Sequence, residues 1–473
     1  MRRLCVITVA AALAVTAPAA GAAEPWSPAA AVPGARDAWP RVVVGSDGRG
    51  AVIWRDKAAP CVFVPAVFEA AFGPDGTVGA ATAVRTDMDL AGVEDPAVVA
   101  GRRLAVIGMQ RRGSRWRGVV VTGRVGKRLG APVALPGSWS AAAPASGPPP
   151  PCNPRLPMPN GLAVTRGVTV PLGVAGTPNG DVAVVARRCA GGSDCRPSAA
   201  LLWVRRAGRP PVTYRLAANG RTYAAGVAMS ARGDVLVAWE RNDALYARVL
   251  TRHGWRSGAQ RLGHTQAFAH VRALFASDGH AVVAWSDQAV SEGDPGSDFT
   301  AQVARETTPG RFGRALRLGS APMAGTGNYV GYAGVAATPL PGGRVALAWT
   351  DYLDQFTVRA ADLNPDGTLT APQMLAPADG NAVLTGLAGA PSGRVVALWL
   401  AGRAGADPAS GEPRYGLYAS TRPPAATAYG APEQLIDGTP DGGSVAIDPI
   451  GDHAIATWRT VSGPIAFSTR PPG

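Results

Sequence analysis

The chain has 473 residues, 47% of them hydrophobic, and a formal net charge of +13. Beyond the N-terminal segment no apolar run is long enough to cross a membrane, which excludes a multi-span membrane protein. Only Lys57 and Lys127 are lysines, so arginine carries nearly all of the positive charge. Because the arginines are mostly scattered, the excess indicates a compositional bias rather than a nucleic-acid-binding protein.

Residues 1–23 are predicted to be a secretory signal peptide. Arg2 and Arg3 form its basic start, Cys5–Val15 is its apolar core, and Ala20–Ala23 offers small residues for cleavage. The core is shorter than the ~20 residues that a membrane span needs. We therefore expect a secreted protein without a membrane anchor.

Residues 24–40 follow the signal and are predicted to complete the last unit of a repeat. The segment Trp26–Val32 resembles the fourth strand of another unit, Trp255–Leu262, and the last unit, Ser444–Pro472, has room for only three strands. The N-terminal segment would supply the missing strand, close a ring and remove its exposed edges. Residues 24–473 would then form a single domain.

The repeat itself is a glycine followed by an alternating apolar run that ends on tryptophan, most clearly in Gly233–Trp239. Side chains alternate along a strand, so Val235 and Trp239 face one way, Leu236 and Ala238 the other, and both faces are predicted to be buried. The other copies are Gly48–Trp54, Gly279–Trp285, Gly343–Trp349, Gly393–Trp399 and the longer Gly451–Trp458, with two degenerate copies, Gly101–Ile107 and Gly180–Ala186.

Each of these eight units has room for four strands. Around Gly233 the other three are predicted within Gly226–Ser230, Ala244–Leu250 and Gln260–Gly263. Four antiparallel strands per unit, repeated at intervals of 46 to 79 residues, are typical of the blades of a β-propeller. We predict an all-β fold, an eight-bladed propeller of four-stranded antiparallel blades, with seven blades as the alternative.

On this repeat, residues 24–473 resemble a secreted bacterial β-propeller. The repeat is specific for architecture and not for an activity. It does not follow the WD40 pattern, to which Ala284–Asp287 is an isolated likeness. Ser46–Gly48 with Trp54 has the residue types of a sialidase Asp box at the wrong spacing, so no sialidase activity is implied.

The inserts lie between second and third strands and between consecutive blades, which places them on one side of the ring, here named the long-loop rim. The longest is Gly137–Pro171. The opposite side, here named the turn rim, has short turns. Because binding residues concentrate on loops of a rigid scaffold, we predict the ligand site at the long-loop rim.

The four cysteines of the mature chain map to this rim. An exported chain meets an oxidising environment, so two disulfides are expected. Of the three possible pairings we favour Cys189 with Cys195, which closes a short loop, and Cys61 with Cys152. The alternative, a zinc site of four thiolates, lacks paired C-x-x-C spacing.

Carboxylates and aromatic rings at this rim are the candidate ligand-binding residues. Carboxylates that converge on the channel mouth would hold Ca²⁺ or act as the acid and base of a glycosidase, and aromatic rings suit sugar faces. Solvated loops and packed rings are the purely structural explanation. The candidates are Asp87, Asp89, Asp287, Asp351, Asp354, Tyr329 and Tyr332.

Motifs for a catalytic nucleophile, G-x-S-x-G or S-x-x-K, are absent from the sequence. We therefore expect a secreted, monomeric, non-catalytic binding or scaffold protein whose partner is an extracellular glycan or protein. The alternative is a carbohydrate-active hydrolase or lyase that uses the rim carboxylates. A third interpretation is binding of an anionic polymer through the arginines. Apart from Ca²⁺, no cofactor is expected.

Overall fold

The structure is a computed structural model that describes residues 25–472, apart from the following gaps. These are 36–39, 56–65, 91–95, 113–114, 138–166, 190–196, 219–221, 223, 266–269, 288–297, 323–333, 353–355, 377–381, 407–412, 439 and 461–464. Eight antiparallel sheets form a ring of blades, numbered here in chain order. The all-β, eight-bladed prediction is confirmed, and the ring has eight blades rather than seven.

Each blade is a meander of four strands, named first to fourth from the channel outwards. The first strands are Arg41–Val44, Ala97–Ala100, Thr169–Gly176, Ala225–Met229, His270–Phe275, Val335–Pro339, Ala382–Gly389 and Pro440–Ile447. The second strands are Gly50–Arg55, Arg103–Arg112, Val182–Cys189, Val235–Arg241, Ala281–Asp287, Val345–Tyr352, Val395–Ala406 and Ala454–Thr460.

The outer half of each blade follows the same order. The third strands are Val67–Phe72, Arg115–Arg124, Pro197–Arg205, Ala244–Thr251, Asp298–Thr308, Phe356–Leu363, Pro413–Arg422 and Ile465–Arg470. The fourth strands are Thr82–Arg85, Val133–Ala134, Val212–Ala218, Gln260–His264, Leu316–Pro322, Gln373–Met374, Glu433–Gly438 and Ala30–Ala31. Short additional strands are Met88–Asp89, Gly254–Trp255 and Arg311–Phe312, and Pro341–Gly343 forms a 3-10 turn. Across the described ranges, no helical segment has the length and hydrophobicity that a membrane span requires.

The first strands pack against one another around the ring and form the wall of its central channel. Where the wall is formed by blades 1, 2, 6, 7 and 8, its lining is apolar apart from Thr338 and includes Val43, Val98, Leu387 and Val445. A wall of this kind offers few hydrogen-bonding groups to a polar ligand. This part of the wall therefore contributes packing to the ring.

The second strand of blade 4 has both faces buried, as predicted. Val235, Val237 and Trp239 pack in a cluster with blade 3. Leu236 and Ala238 pack in a separate cluster with blade 5. One strand thus joins two hydrophobic cores, which explains why its sequence is apolar at successive positions.

In three blades the signature tryptophan stacks on an aromatic residue directly opposite it on the third strand, a feature that was not predicted. The ring centroids lie 6.0 to 6.3 Å apart and the planes are within 23° of parallel. Such cross-strand aromatic pairs stabilise a sheet beyond the area that they bury. The pairs are Trp54–Phe68, Trp239–Tyr246 and Trp399–Tyr418.

The degenerate blades 2 and 3 depart from the repeat in different ways. In blade 2 the apolar register is shifted by one residue, so that Ile107 packs towards blade 3 and Gly108 lies where other blades have tryptophan. A side chain at Gly108 would meet the backbone oxygen of Asp89 at 2.4 Å. In blade 3 the place of tryptophan is taken by Ala186, and Trp203 of the adjacent third strand fills the same cluster.

The ring closes between the two ends of the chain, as predicted. Ala30 and Ala31 pair with Phe467 and Ala466 in an antiparallel register. The Ser27 amide adds a hydrogen bond of 2.7 Å to the Thr469 carbonyl. The last blade thus takes its outermost strand from the N-terminal segment, which pairs with the edge of the third strand, Ile465–Arg470.

Glu69, on the third strand of blade 1, is a buried carboxylate at the junction with blade 2. Its side chain is 1% exposed, and its Oε1 accepts a hydrogen bond of 2.7 Å from the Gly126 amide. Burial raises the pKa of the Glu69 carboxyl, and the weaker opposing effect of the Gly126 hydrogen bond lowers it. The folded state therefore binds more protons at this group than the unfolded chain.

We expect the substitution Glu69→Gln to stabilise the protein more at pH 8 than at pH 4. A raised folded pKa favours the native state at low pH, and this contribution is lost as the pH rises past the ordinary carboxyl value. Urea unfolding of both proteins at the two pH values measures the difference. In the control Asp75→Asn the sign reverses, since hydrogen bonds from Thr77 lower the pKa of Asp75. A Glu69→Gln effect independent of pH would contradict the assignment.

Candidate functional site

Asp87 lies at the long-loop rim, between blades 1 and 2. Arg85 donates two hydrogen bonds of 2.8 Å to its carboxylate, and Gln110 donates a third of 2.7 Å. Arg117 in turn donates to the Gln110 side-chain oxygen at 3.0 and 2.9 Å. The result is a chain of polar contacts in which two arginines flank one carboxylate.

The hydrogen bond from Arg85 is the main cause that lowers the pKa of the Asp87 carboxyl; partial burial opposes it and Gln110 adds to it. Asp87 is therefore ionised at neutral pH. A general acid needs the opposite, a carboxyl whose pKa is raised towards the working pH. The geometry around Asp87 suits a fixed negative charge that positions arginine side chains.

Asp89 lies two residues further on, in the short strand that pairs with the second strand of blade 2 at Met109. Its side chain is 3% exposed. Asp87 and Asp89 are thus close in the fold, but Asp89 faces the interior of the junction rather than solvent.

Asp351 lies at the end of the second strand of blade 6 and is 5% exposed. Its Oδ2 is 3.2 Å from Nε of Arg359 on the next strand. A Cβ built on Gly319, in the outermost strand of blade 5, would lie 2.6 Å from Asp351 Oδ1. The carboxylate is therefore held between two blades, away from the channel and on the opposite side of the ring from Asp87.

The remaining predicted site residues stay predictions. Asp287 ends the second strand of blade 5, where it pairs with Thr300, and nothing further is described of its side chain. The others, Asp354, Tyr329 and Tyr332, lie outside the described residues. Among the residues that the structure does describe, no three His, Cys, Asp or Glu side chains converge on a possible metal site. The predicted Ca²⁺ site would thus require the loops beyond them.

The cysteine pairings are likewise untested. Cys189 is buried at the end of the second strand of blade 3, at the long-loop rim as predicted. Cys61, Cys152 and Cys195 lie outside the described residues. The signal peptide, residues 1–23, lies outside them as well.

A basic surface that was not predicted as a site lies next to Asp87. It is the end of the hairpin formed by the second and third strands of blade 2, here named the arginine tip. Arg112 and Arg115, both exposed, face each other directly across the two strands. Like charges at such a position repel. The arginine tip comprises Arg111, Arg112, Arg115, Trp116 and Arg117.

An aromatic ring lies within the arginine tip. Trp116 is directly opposite Arg111, whose guanidinium carbon is 5.7 Å from the centre of the indole ring. Trp116 also packs against a small buried cluster that includes Met109 and Cys189. The ring is thus held in place beside the Arg111 guanidinium, and the half-buried indole suits contact with a flat or sugar-like ligand. The dense run Arg111–Arg117 was the sequence signal for this surface.

No protein family model and no curated protein sequence matches the chain. Similar solved structures include a puromycin hydrolase mutant, at 14% identity and a TM-score of 0.46. The match covers 90% of this chain and 51% of the hydrolase. The BP39L lectin from Burkholderia pseudomallei has 14% identity and a TM-score of 0.44, with 85% of this chain and 100% of the lectin covered. The β-propeller domain of the Trilobed protease from Pyrococcus furiosus has 10% identity and a TM-score of 0.40, with coverages of 81% and 96%. The chain spans about half of the hydrolase, and such low similarity assigns none of these functions to it.

Proposed function

We propose that this protein is an exported, non-catalytic binding protein whose long-loop rim binds an anionic polysaccharide through the arginine tip. The observation that carries the proposal is the exposed facing pair Arg112 and Arg115, which adjoins the pair of Arg111 and Trp116 at the same hairpin end. Guanidinium groups bind carboxylate and sulfate groups with paired hydrogen bonds. Because side chains alternate along a strand, Trp116 and Arg111 face blade 3 while Arg112 and Arg115 face the other way. A sugar chain that crosses the hairpin end would meet the arginine pair on one face and the indole ring on the other.

The local charge supports an anionic rather than a neutral glycan. Asp87 is already paired with Arg85, and Asp89 is buried. Arg112 and Arg115 have no ion-pair partner among the described residues. An anionic ligand would relieve the repulsion between these two side chains.

A non-catalytic role is favoured over hydrolysis by the state of two of the described candidate carboxylates. Asp87 and Asp351 each pair with an arginine, and they lie on opposite sides of the ring. A glycosidase needs two carboxyl groups that flank the same bond, one of them protonated. We therefore place these two residues in support of the rim structure.

We expect the protein to be retained on immobilised heparin and to elute at lower salt when Arg112→Gln and Arg115→Gln are combined. Each lost contact with a phosphate-like or sulfate group lowers the slope of log affinity against log salt by about one unit. The matched control combines Arg232→Gln with Arg314→Gln, two exposed arginines elsewhere that remove the same charge. Equal elution of both double variants, or no retention of the wild-type protein, would contradict the proposal.

The non-catalytic part of the proposal has its own test. Wild-type protein is incubated with heparin, alginate and pectate, and the release of new chain ends is followed. We expect no release by the wild-type protein. Release that disappears in Asp87→Asn or Asp351→Asn would establish the hydrolase or lyase alternative instead.

A further inference from the structure

The opposite end of the blade-2 hairpin carries a second facing pair of arginines, at the turn rim. Arg103 opens the second strand and Arg124 ends the third, and the two are directly opposite. Ala105 and Val120, on the same face of the hairpin, pack against blade 3. Because side chains alternate along a strand, Arg103 and Arg124 face blade 3 as well.

A third arginine reaches the same junction from the other side. Arg205 ends the third strand of blade 3, two residues after Trp203, which packs towards blade 2. Its half-buried guanidinium donates a hydrogen bond of 3.0 Å to the Thr122 hydroxyl of blade 2. Burial lowers the pKa of Arg205, and the positive charge of Arg103 lowers it further. The two cations are thus close enough to repel.

Arg103 also lies against the turn that joins the first two strands of blade 3. A Cβ at Gly180 would lie 2.8 Å from the Arg103 Nη1 atom, and Gly180 has a φ of +94°. The guanidinium fits there because residue 180 has no side chain. Arg103, Arg124 and Arg205 therefore converge at the turn-rim end of the junction between blades 2 and 3.

No carboxylate neutralises these arginines within the described part of the chain. The adjacent Asp181 accepts hydrogen bonds from the Ala207 amide at 2.8 Å and from Arg206 at 3.2 Å. Arg252 Nη2 lies 3.6 Å from Oδ2 of the same carboxylate. Asp181 is thus already engaged with other cations.

Comparison with the equivalent junction between blades 6 and 7 shows that the junction between blades 2 and 3 lacks a carboxylate at the matching position. Arg422 of blade 7 and Arg205 of blade 3 occupy equivalent positions in their blades. Each lies opposite the second-strand residue that comes four residues before the tryptophan position of its own blade. Arg422 reaches across to Asp362 of blade 6 at 2.7 Å, whereas Arg205 reaches Thr122. Asp362 and Thr122 in turn lie at matching positions, opposite Ala346 and Ala105.

Blade 8 has the same arrangement, and it too includes a carboxylate. Arg470 bonds to Thr421 of blade 7 at 3.0 Å and forms a salt bridge with Glu433. Of the three junctions built on an arginine at this position, the one between blades 2 and 3 has two further arginines in place of an acid.

We propose that Arg103, Arg124 and Arg205 form a binding site for a compact tetrahedral anion, sulfate or phosphate, free or as an ester. The bound anion supplies the negative charge that Asp362 and Glu433 supply in the other junctions. Guanidinium groups suit such an anion because they donate paired hydrogen bonds to its oxygens. This site lies on the rim opposite the arginine tip and is independent of the function proposed above.

The test is the thermal unfolding midpoint and the calorimetric affinity for inorganic phosphate, with ionic strength held constant by NaCl. We expect the wild-type midpoint to rise and then saturate with phosphate. Arg124→Gln should weaken the affinity about tenfold, as expected for the loss of a hydrogen bond to a charged group. Thr122→Asp introduces a carboxylate at the position equivalent to Asp362 of blade 6. This variant should have a higher unfolding midpoint than the wild-type protein without phosphate, and its midpoint should no longer rise when phosphate is added.

Two controls separate this site from other effects. Arg232→Gln removes the same charge from a turn elsewhere on this rim and should leave the phosphate response unchanged. The arginine-tip double variant should leave it unchanged too, so the two proposals fail independently. A wild-type midpoint no higher in phosphate than in NaCl, or a response that persists in Thr122→Asp, would overturn the inference.

Inorganic sulfate and a sugar phosphate form separate arms of the same titration. Equal affinities for inorganic phosphate and the sugar phosphate would assign the site to the free anion. Tighter binding of the sugar phosphate would assign it to an ester.

Discussion

Replacing Trp239 with alanine should lower the free energy of unfolding by about 3–5 kcal/mol, the range for removing a large buried side chain. The indole is 2% exposed, packs in the core between blades 3 and 4 and stacks on Tyr246. Alanine would leave a cavity there and remove the stacking partner. Denaturant unfolding followed by fluorescence and circular dichroism measures the loss.

Trp239→Phe is the matched control for this prediction. The Trp239 indole N–H has no hydrogen-bond partner among the described residues, so phenylalanine removes volume without removing a hydrogen bond seen there. We expect it to retain most of the stability lost in the alanine variant. An alanine variant as stable as the wild-type protein would refute the role of the signature tryptophan as core.

Replacing Arg422 with methionine should cost about 3 kcal/mol, the lower part of the range for breaking a buried ion pair by removing one partner. The Arg422 and Asp362 side chains are each 5% exposed and lie 2.7 Å apart. Methionine keeps much of the side-chain volume of Arg422. Of the ion-pair partners of the buried Asp362 carboxylate in the described part of the chain, it leaves Arg344, at 3.3 Å. Because the ion pair between Asp362 and Arg344 remains, we expect a loss of stability in the lower part of the range. Urea unfolding of the variant measures it.

The double variant Arg422→Met with Asp362→Leu should recover most of that loss, because no unpaired charge is then buried. Arg344→Met removes the more exposed partner and should cost about 1 kcal/mol or less. A double variant less stable than Arg422→Met alone would show that the pair acts through other contacts.

The architecture was predictable because burial on both faces constrains every residue of a second strand. Each residue of the apolar run from Val235 to Ala238 packs in one of two cores, where burial of a polar group is costly. The closing strand was predictable for a related reason: the last unit lacks one strand, and an unpaired sheet edge is unfavourable.

The registers of the degenerate blades were harder to predict. In blade 2, a side chain at Gly108 would clash with the backbone oxygen of Asp89, which belongs to an additional strand. Trp203 compensates for Ala186 from the neighbouring strand. Both effects depend on pairs of residues that are distant in sequence, so periodicity along one strand does not show them.

The site residues depend on contacts between blades in the same way. Nothing beside Asp351 in the sequence indicates that Arg359 pairs with it, and Arg103, Arg124 and Arg205 meet only in the folded ring. Comparison of equivalent positions in the repeats could have indicated the arginine site between blades 2 and 3 from the sequence. It sets Arg205 beside Arg422 and Thr122 beside Asp362, and it thereby marks the missing acid.

The closure of blade 8 has a consequence for the order of events during synthesis. The first seven blades are each built from continuous stretches of chain, so they can form as the nascent polypeptide emerges. Blade 8 must wait until Ile465–Arg470 has left the ribosome and meets Ala30–Ala31. Until then the almost complete ring presents an open strand edge, at which a second nascent copy could be captured in an exchanged dimer.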